Sequence, residues 1–251
     1  MSGPDRNKQQ HPVVAREEWL KARKAHLKNE KSLTHLRDLV SAERRALPWV
    51  KVDKEYVFDT PAGKKTLAEL FEGRSQLIVY HFMWRWDLGQ GCKSCSLLAD
   101  HIDGLNVHLA HHDVKFVAIS RGKLPDLQVY WKRMGWKFGF ASSYGNDFNF
   151  DYHVSFSDEQ MASGKLAYNY ETISSEHGLN ELPGTSVFTK DDNGDVFHTY
   201  SSYARGGDLL LGVYNFLDLT PKGRNGTEIM EWVKRHDEYE TKGSAPSCSH
   251  G

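Results

Sequence analysis

Cysteine is scarce in this chain, which has three among its 251 residues: Cys92, Cys95 and Cys248. Three cysteines are too few for the disulfide-stapled scaffold of a small secreted protein. The first ten residues, Met1 to Gln10, are polar and lack the apolar core of a signal peptide. We therefore expect a cytoplasmic protein, in a reducing compartment where a cycling disulfide is favoured over a persistent structural one.

Long apolar runs and an excess of one charge are also missing. No segment approaches the roughly 20 apolar residues that span a bilayer. The 32 basic and 33 acidic residues leave a formal charge of -1, so the sequence predicts neither a nucleic-acid partner nor a membrane partner. The apolar and aromatic content is that of a globular protein with a core.

The most informative motif is Cys92-Lys93-Ser94-Cys95. It follows the apolar run Gln76–Met83, which predicts a buried strand, and it precedes a predicted helix, Ser96–His112. Two cysteines at this spacing, after a strand and at the start of a helix, are typical of a redox dithiol. In such a dithiol Cys92 is the attacking thiolate and Cys95 resolves the mixed disulfide.

The same dithiol has two other interpretations, an inert thiol pair and half of a metal site. No second CxxC is present to complete a structural zinc site. Other potential ligands lie along the chain, and they are His81, His101, His108, His111, His112, Cys248 and His250. We predict no metal ligands, and no organic cofactor because a dithiol carries two electrons by itself.

The chain divides into three parts. Residues 1–48 contain a disordered start and one long helix, Arg16–Leu47, closed by Pro48. This helix either packs on the main domain or serves as a homodimerisation arm. Residues 49–240 form the main domain, and residues 241–251 a flexible tail.

The main domain is predicted to be α/β. Its elements, besides those around the dithiol, are edge strands Trp49–Val52 and Tyr56–Asp59, a short helix Thr66–Phe71, strand Val114–Ser120, helix Pro125–Met134, an irregular insertion over 138–182, strands Ser186–Lys190 and Val196–Ser201 joined by a tight turn at Asp191–Gly194, and helix Leu209–Leu217. Two parallel strands around the dithiol helix, followed by an antiparallel hairpin, are the thioredoxin-like order. The N-terminal strand pair is typical of peroxiredoxin-type members.

The chain resembles one family of thioredoxin-like proteins in particular, the domain of unknown function 899, whose members are described as dithiol-disulfide oxidoreductases on sequence grounds. The resemblance covers roughly residues 11–240. The segments that carry it include Ala46–Val50, Gln76–Met83, Gly91–Ser96, Arg133–Trp136, Asp147–Asn149, Ser186–Phe188, Phe197–Ser201, Tyr203–Gly206 and Leu217–Pro221.

The wider thioredoxin resemblance implies that Pro183 is a cis-proline facing the dithiol, where it positions the substrate chain; the alternative is an ordinary trans-proline in a loop. Two departures are evident: Gly91 replaces the tryptophan before the first cysteine, and no buried carboxylate is evident on the central strand. Peroxiredoxins need a threonine or serine three residues before the reactive cysteine and a proline further back. Gly89 and Arg85 stand at those positions, which disfavours a standard peroxidase.

Three further residues are candidates for substrate binding. Trp84 and Trp86, in the loop before the dithiol, either shape a substrate groove or pack over the strand ends. Arg121 follows strand Val114–Ser120 at its carboxyl end, where ligands bind in open α/β sheets. We therefore predict a thiol-disulfide oxidoreductase acting on a protein or small-molecule disulfide. The alternatives are a peroxiredoxin-like peroxidase and a non-catalytic metal- or partner-binding module.

Overall fold

The structure is a computed structural model that describes residues 11–224 and 230–239. The chain divides into two compact units, Met1–Pro48 and Trp49–Gly251. The predicted tail over 241–251 and the start of the chain up to residue 10 lie outside the described residues. None of the helices in the described ranges is both long and apolar enough to cross a membrane.

The first unit contains one helix, α1, from Arg16 to Arg45. Glu17 and Glu18 lie in its first turn and Arg44 and Arg45 in its last, so the charges at both ends complement the helix dipole. The predicted helix is confirmed and ends two residues early, since the residue before Pro48 disfavours helical backbone. None of its described residues is buried, and the dimerisation arm stays a prediction.

The second unit is built on one large mixed sheet. In its described residues the unit has twelve strands, and they are β1 Val50–Lys51, β2 Val57–Thr60, β3 Gly63–Thr66, β4 Gln76–His81, β5 Trp84–Arg85, β6 Gln90–Gly91, β7 Val114–Ser120, β8 Gly139–Ser142, β9 Lys165–Tyr168, β10 Glu171–Ser174, β11 Gly184–Lys190 and β12 Val196–Tyr203. Eight of them form the main sheet in the order β1-β12-β11-β4-β7-β8-β2-β3. Two hairpins, β5–β6 and β9–β10, stand apart from it.

The helices of this unit are α2 Lys93–Ala99, α3 Ile102–His111, α4 Leu124–Met134, α5 Phe148–Asp151, α6 Asp158–Ala162 and α7 Gly212–Leu217. Short 3₁₀ turns cover Glu69–Phe71, Ala204–Leu210 and His236–Glu238. Strands β4 and β7 pair in parallel around α2 and α3, and β11 pairs antiparallel with β4. This is a thioredoxin-like fold with an N-terminal helix.

The helix predicted after the dithiol is two helices. The break lies at His101, whose ring Nδ1 donates to the Leu97 carbonyl at 2.7 Å while its Nε2 accepts from the Val213 backbone N–H at 3.0 Å. The His101 ring therefore joins the break between α2 and α3 to α7. This contact spans 112 residues, so the local sequence does not indicate it.

Three other predictions need correction. The insertion predicted to be irregular begins with β8, which pairs with β7 inside the main sheet, and it also contains the hairpin β9–β10. The helix predicted from Thr66 is a 3₁₀ turn, although the predicted cap is present: Thr66 N–H donates to Glu69 Oε2 at 2.7 Å. The closing helix predicted over Leu209–Leu217 is shorter, and a 3₁₀ turn precedes it.

The two faces of the sheet carry separate apolar cores. One core contains Tyr80, Phe82 and Trp131 together with Cys95. The other contains Val79, Ile119 and Phe188. Strands β4 and β7 are apolar along most of their length because both of their faces are covered. The dithiol helix packs on the first core.

Candidate dithiol site

The two cysteines lie where the chain passes from the β5–β6 hairpin into α2. Cys92 is the N-cap residue of α2, with extended backbone (φ -62°, ψ 135°), and its N–H donates to the Met83 carbonyl at 3.1 Å. Cys95 is the third residue of the helix. The predicted position of the motif at a strand-to-helix junction is confirmed.

Gly91, just before the dithiol, has no room for a side chain. A Cβ atom there would lie 2.5 Å from the Tyr130 ring and 2.6 Å from the Phe82 ring, closer than Cβ atoms approach other atoms. The Gly91 carbonyl accepts from the buried Arg235 guanidinium, with Nη2 at 2.6 Å. The side-chain position of Gly91 is therefore occupied by two aromatic rings of the core.

The two sulfurs differ in exposure and in acidity. Cys95 is 1% exposed and Cys92 is partly buried, and both are free thiols. A hydrogen bond from the Cys95 thiol, supported by backbone N–H groups of Cys95 and Ser94 and by the Arg85 charge, lowers the pKa of Cys92 to about 6. Burial, followed by the hydrogen bond to Cys92, raises the pKa of Cys95 well above its usual value. At neutral pH the pair is a thiolate and a thiol.

Tyr80 is the polar neighbour of Cys95 inside the core. It lies on β4, is 4% exposed, and its hydroxyl hydrogen-bonds the Cys95 sulfur. Burial raises the pKa of Tyr80 well above its usual value. Its hydroxyl therefore stays protonated and able to donate to a Cys95 thiolate.

A hydrogen-bonded chain holds the carbonyl of Cys92. Ser96 Oγ donates to the Cys92 carbonyl at 2.9 Å and lies 2.8 Å from the Tyr130 hydroxyl. Arg235 Nε donates to the Tyr130 oxygen at 3.0 Å. With the Ser96 proton on the carbonyl, Tyr130 donates to Ser96, and every member of the chain is satisfied. The segment around Arg235 is therefore part of the scaffold of the site.

Both cysteines line a cavity of about 380 Å³ together with Pro183, Gly184 and Thr185. Pro183 immediately precedes β11, and its carbonyl accepts from the Tyr168 hydroxyl at 2.6 Å. The described residues contain no cis peptide bond, so the expectation of a cis-proline is wrong. Pro183 nevertheless faces the dithiol as a trans-proline, held by a hydrogen bond from the segment over 138–182.

Glu181 is a buried carboxylate that the sequence did not indicate. It is 3% exposed and accepts from the Trp84 backbone N–H at 2.8 Å and from Trp86 Nε1 at 3.1 Å. Burial raises its pKa to about 7. No pattern in the sequence marks Glu181; its one distinctive feature is its position two residues before Pro183.

The three candidate binding residues Trp84, Trp86 and Arg121 meet around Glu181. Arg121 Nη1 lies 4.0 Å from Glu181 Oε1, and the Arg121 guanidinium lies over the Phe150 ring at 4.4 Å. Trp84 and Trp86 line a neighbouring cavity of about 480 Å³, which shares Met83 and Leu179 with the dithiol cavity. The structure thus brings these three residues together beside the dithiol cavity and outside its wall.

The histidines considered as metal ligands do not gather at the dithiol. His81 Nε2 bonds Ser186 Oγ at 2.8 Å in a buried row that continues through Ser201 to His198. Burial and the nearby charge of His198 lower the pKa of His81 to about 3, so its ring is neutral. The described ranges contain no group of three or more potential ligands placed to hold a metal ion; Cys248 and His250 lie outside those ranges.

Comparisons with known proteins place the chain in a family. A family described as "Bacterial protein of unknown function (DUF899)" matches residues 8–239, and the chain belongs to that family. A search of curated proteins gave no match.

Several solved structures are similar at low identity. Peroxidoxin BcpB from Mycobacterium tuberculosis is 13% identical, with 66% of this chain and 94% of that chain covered and a TM-score of 0.42. Peroxiredoxin Q from Xanthomonas campestris is 11% identical, with 68% and 96% covered and a TM-score of 0.42. A Chlorobium tepidum protein assigned as the thiol:disulfide interchange protein DsbE is 13% identical, with 61% and 86% covered and a TM-score of 0.37. Similarities of this size carry no functional inference.

Proposed function

We propose that this member of the family is a thiol-disulfide oxidoreductase in which Cys92 attacks and Cys95 resolves. The observation that carries the proposal is the asymmetry of the pair. Cys92 is accessible from a cavity and has its pKa lowered to about 6, while Cys95 is 1% exposed and has its pKa raised. A dithiol needs this asymmetry, because one sulfur must be a nucleophile at neutral pH while the other stays protonated until the mixed disulfide has formed.

The reaction proceeds in two exchanges. The Cys92 thiolate attacks one sulfur of a substrate disulfide, forms a mixed disulfide and expels the first substrate thiolate. Cys95 then loses its proton and attacks Cys92, which closes the Cys92–Cys95 disulfide and expels the second substrate thiolate. The protein loses two electrons and the Cys95 proton. The substrate gains the two electrons, and its two thiolates take up that proton and one from solvent. The reverse sequence oxidises a substrate dithiol.

Tyr80 eases the second exchange. A Cys95 thiolate is costly in an apolar core because burial disfavours the charged form. The Tyr80 hydroxyl, already hydrogen-bonded to the sulfur, donates to the developing thiolate and offsets part of that cost.

We assign substrate positioning to residues around the dithiol. Pro183 lines the same cavity as the cysteines, and we assign it to holding the substrate disulfide there. Trp84, Trp86 and Arg121 support the same site from outside, since Glu181 holds the Trp84–Trp86 loop through two hydrogen bonds. We assign the protein to the cytoplasm, where a reducing environment recycles the dithiol, and no organic cofactor is needed for the exchange.

The test is a redox titration combined with three variants. In glutathione buffers the wild type is expected to form a Cys92–Cys95 disulfide, detected by mass after alkylation. Cys92→Ser should lose reduction of bis(2-hydroxyethyl) disulfide, Cys95→Ser should stop at the mixed disulfide, and Cys248→Ser should keep full activity. Full activity in Cys92→Ser, or no Cys92–Cys95 bond at any glutathione ratio, would refute the proposal.

Two added measurements separate the alternatives. Stopped-flow mixing with hydrogen peroxide should oxidise Cys92 no faster than a free thiol of the same pKa; much faster oxidation would favour a peroxidase. Metal analysis of untagged protein should give no stoichiometric zinc or copper. Stoichiometric metal that is lost in Cys92→Ser would favour a metal-binding module.

A further inference from the structure

We infer that the dithiol cavity selects uncharged, low-molecular-weight disulfides whose substituents are apolar. This rests on the proposed disulfide exchange and narrows it to a substrate class. The inference comes from the composition of the cavity wall and from how the charges near it are paired.

The wall of the cavity is mainly apolar. Its apolar side chains include Met83, Leu98, Leu179, Leu182, Leu211 and Met230, and Ser94, Thr185 and Ser202 are uncharged polar residues that also line it. Burying apolar substrate surface against such a wall contributes roughly 25 cal/mol per Å². An apolar substituent on the disulfide therefore gains binding energy that a hydroxylated or ionised substituent of the same size does not.

Apart from the Cys92 thiolate itself, the charged side chains of the described wall are paired. Arg205 and Asp208 are the charged residues among the described residues of its wall, and they pair with each other at 2.9 Å. Asp208 is paired a second time, with Arg224 at 3.0 Å. A substrate carboxylate would lose water, meet the like charge of the Cys92 thiolate and find Arg205 already paired, which is unfavourable. A substrate ammonium would find Asp208 already paired twice and could pair only with the Cys92 thiolate, which has to attack the disulfide.

Lys93, the cation inside the CxxC motif, is also directed elsewhere. Its Nζ donates to the Glu231 carbonyl at 3.2 Å, and Lys93 is not among the residues that line the cavity. The positive charge next to Cys92 in sequence therefore does not prepare the cavity for an anionic disulfide such as oxidised glutathione.

The size of the cavity favours a small molecule. Its volume of about 380 Å³ lies near the lower end of the roughly 300 to 1,000 Å³ found for small-molecule sites. Its walls come from separate parts of the chain: α2, residues 179–185, residues 202–211 and Met230. A small disulfide fits among these walls more readily than a folded protein segment does.

The experiment compares substrates within each protein variant. Rates of reduction are measured for dipropyl disulfide, bis(2-hydroxyethyl) disulfide, oxidised glutathione and insulin. Each rate is divided by the rate at which dithiothreitol reduces the same compound, which removes differences in intrinsic reactivity. We expect dipropyl disulfide to exceed oxidised glutathione by at least about tenfold on this scale, with bis(2-hydroxyethyl) disulfide between them.

A charge placed in the wall should remove the preference. Leu179→Lys puts a cation at a partly exposed wall position and should lower the dipropyl-to-glutathione ratio about tenfold. Leu105→Lys, at a partly exposed leucine on α3 outside the wall, should leave the ratio unchanged. Because both rates are measured on the same variant, an altered Cys92 pKa cancels from the ratio.

The outcomes separate this inference from the proposed function. Equal normalised rates, or faster reduction of oxidised glutathione or insulin, would overturn the inference while disulfide exchange stands. A preference that survives Leu179→Lys would also overturn it, because the selecting surface would then be elsewhere. Failure to reduce any of the four compounds would refute the proposed disulfide exchange itself, and the inferred substrate class would fall with it.

Discussion

The acidity of Cys92 depends on Cys95, and removing the Cys95 thiol should raise the Cys92 pKa. The hydrogen bond from Cys95 is the largest contribution that lowers the Cys92 pKa to about 6 from its ordinary value of 9.0. A hydrogen bond to a charged group contributes about 1.5 to 3 kcal/mol. At about 1.4 kcal/mol per pKa unit, Cys95→Ala should raise the Cys92 pKa by about one to two units.

The rise has a direct kinetic consequence. With a pKa near 6, about nine tenths of Cys92 is thiolate at neutral pH, and with a pKa near 8 only about one tenth is. The rate of iodoacetamide alkylation at pH 7 should therefore fall about two- to tenfold in Cys95→Ala. The midpoint of the alkylation rate between about pH 4 and about pH 10 reports the Cys92 pKa itself.

The assay uses Cys248→Ser as the background, so that Cys92 is the reactive thiol. Cys95→Ser is the matched control, since its hydroxyl retains a donor at the same position and should shift the pKa less than alanine does. The reasoning is refuted if Cys95→Ala has the same alkylation midpoint as its parent. It is also refuted if serine raises the pKa as much as alanine.

Three further perturbations test the rest of the site. Burial raises the pKa of Glu181 to about 7 from its ordinary value of 4.5, so its contribution to stability is present below pH 4.5 and is lost as the pH rises through 7. The stability of the wild type relative to Glu181→Gln should therefore fall by about 2 to 3 kcal/mol between pH 5 and pH 8 in urea unfolding. A pH-independent difference would contradict the assignment. Gly91→Ala should destabilise the protein by about 1 to 3 kcal/mol through overpacking against the Tyr130 and Phe82 rings. Gly104→Ala, at a helical glycine with open space around it, should be neutral or stabilising. Equal unfolding midpoints for the two variants would show that the close approach at Gly91 is tolerated. Tyr80→Phe removes the donor to the resolving sulfur and should slow release of the second substrate thiol about tenfold in rapid-quench experiments. The alkylation rate of Cys92 should stay the same. An unchanged release rate would show that Tyr80 does not act in the resolving step.

Elements with a continuous apolar pattern were predictable from the sequence. Strands β4 and β7 are buried on both faces, so their residues are apolar whichever face they point to. The hairpin β11–β12 was equally evident, because Asp191–Gly194 provides turn chemistry between two segments rich in β-branched and aromatic residues. Strand β8 was not predictable, since its four residues form a strand only by pairing with β7 and β2.

The candidate site likewise has one part that the sequence indicated and one part that it did not. The CxxC motif carries its own chemical signal, and the strand before it together with the helix after it fixes where it lies. Glu181 carries no such signal. Its hydrogen bonds reach Trp84 and Trp86 across 97 and 95 residues, and a carboxylate in an unpatterned segment is ordinarily a solvated surface residue.

The sequence by itself determined that this protein has a dithiol at a strand-to-helix junction of a thioredoxin-like fold. Local spacing and hydrophobic pattern suffice for that, because both are properties of neighbouring residues. The tertiary structure decided how strongly the two thiols differ in acidity, that Pro183 lines the dithiol cavity as a trans-proline, and that the cavity wall is mainly apolar with Arg205 and Asp208 paired. Burial and through-space hydrogen bonds set these properties, and they arise only when distant segments of the chain pack against one another.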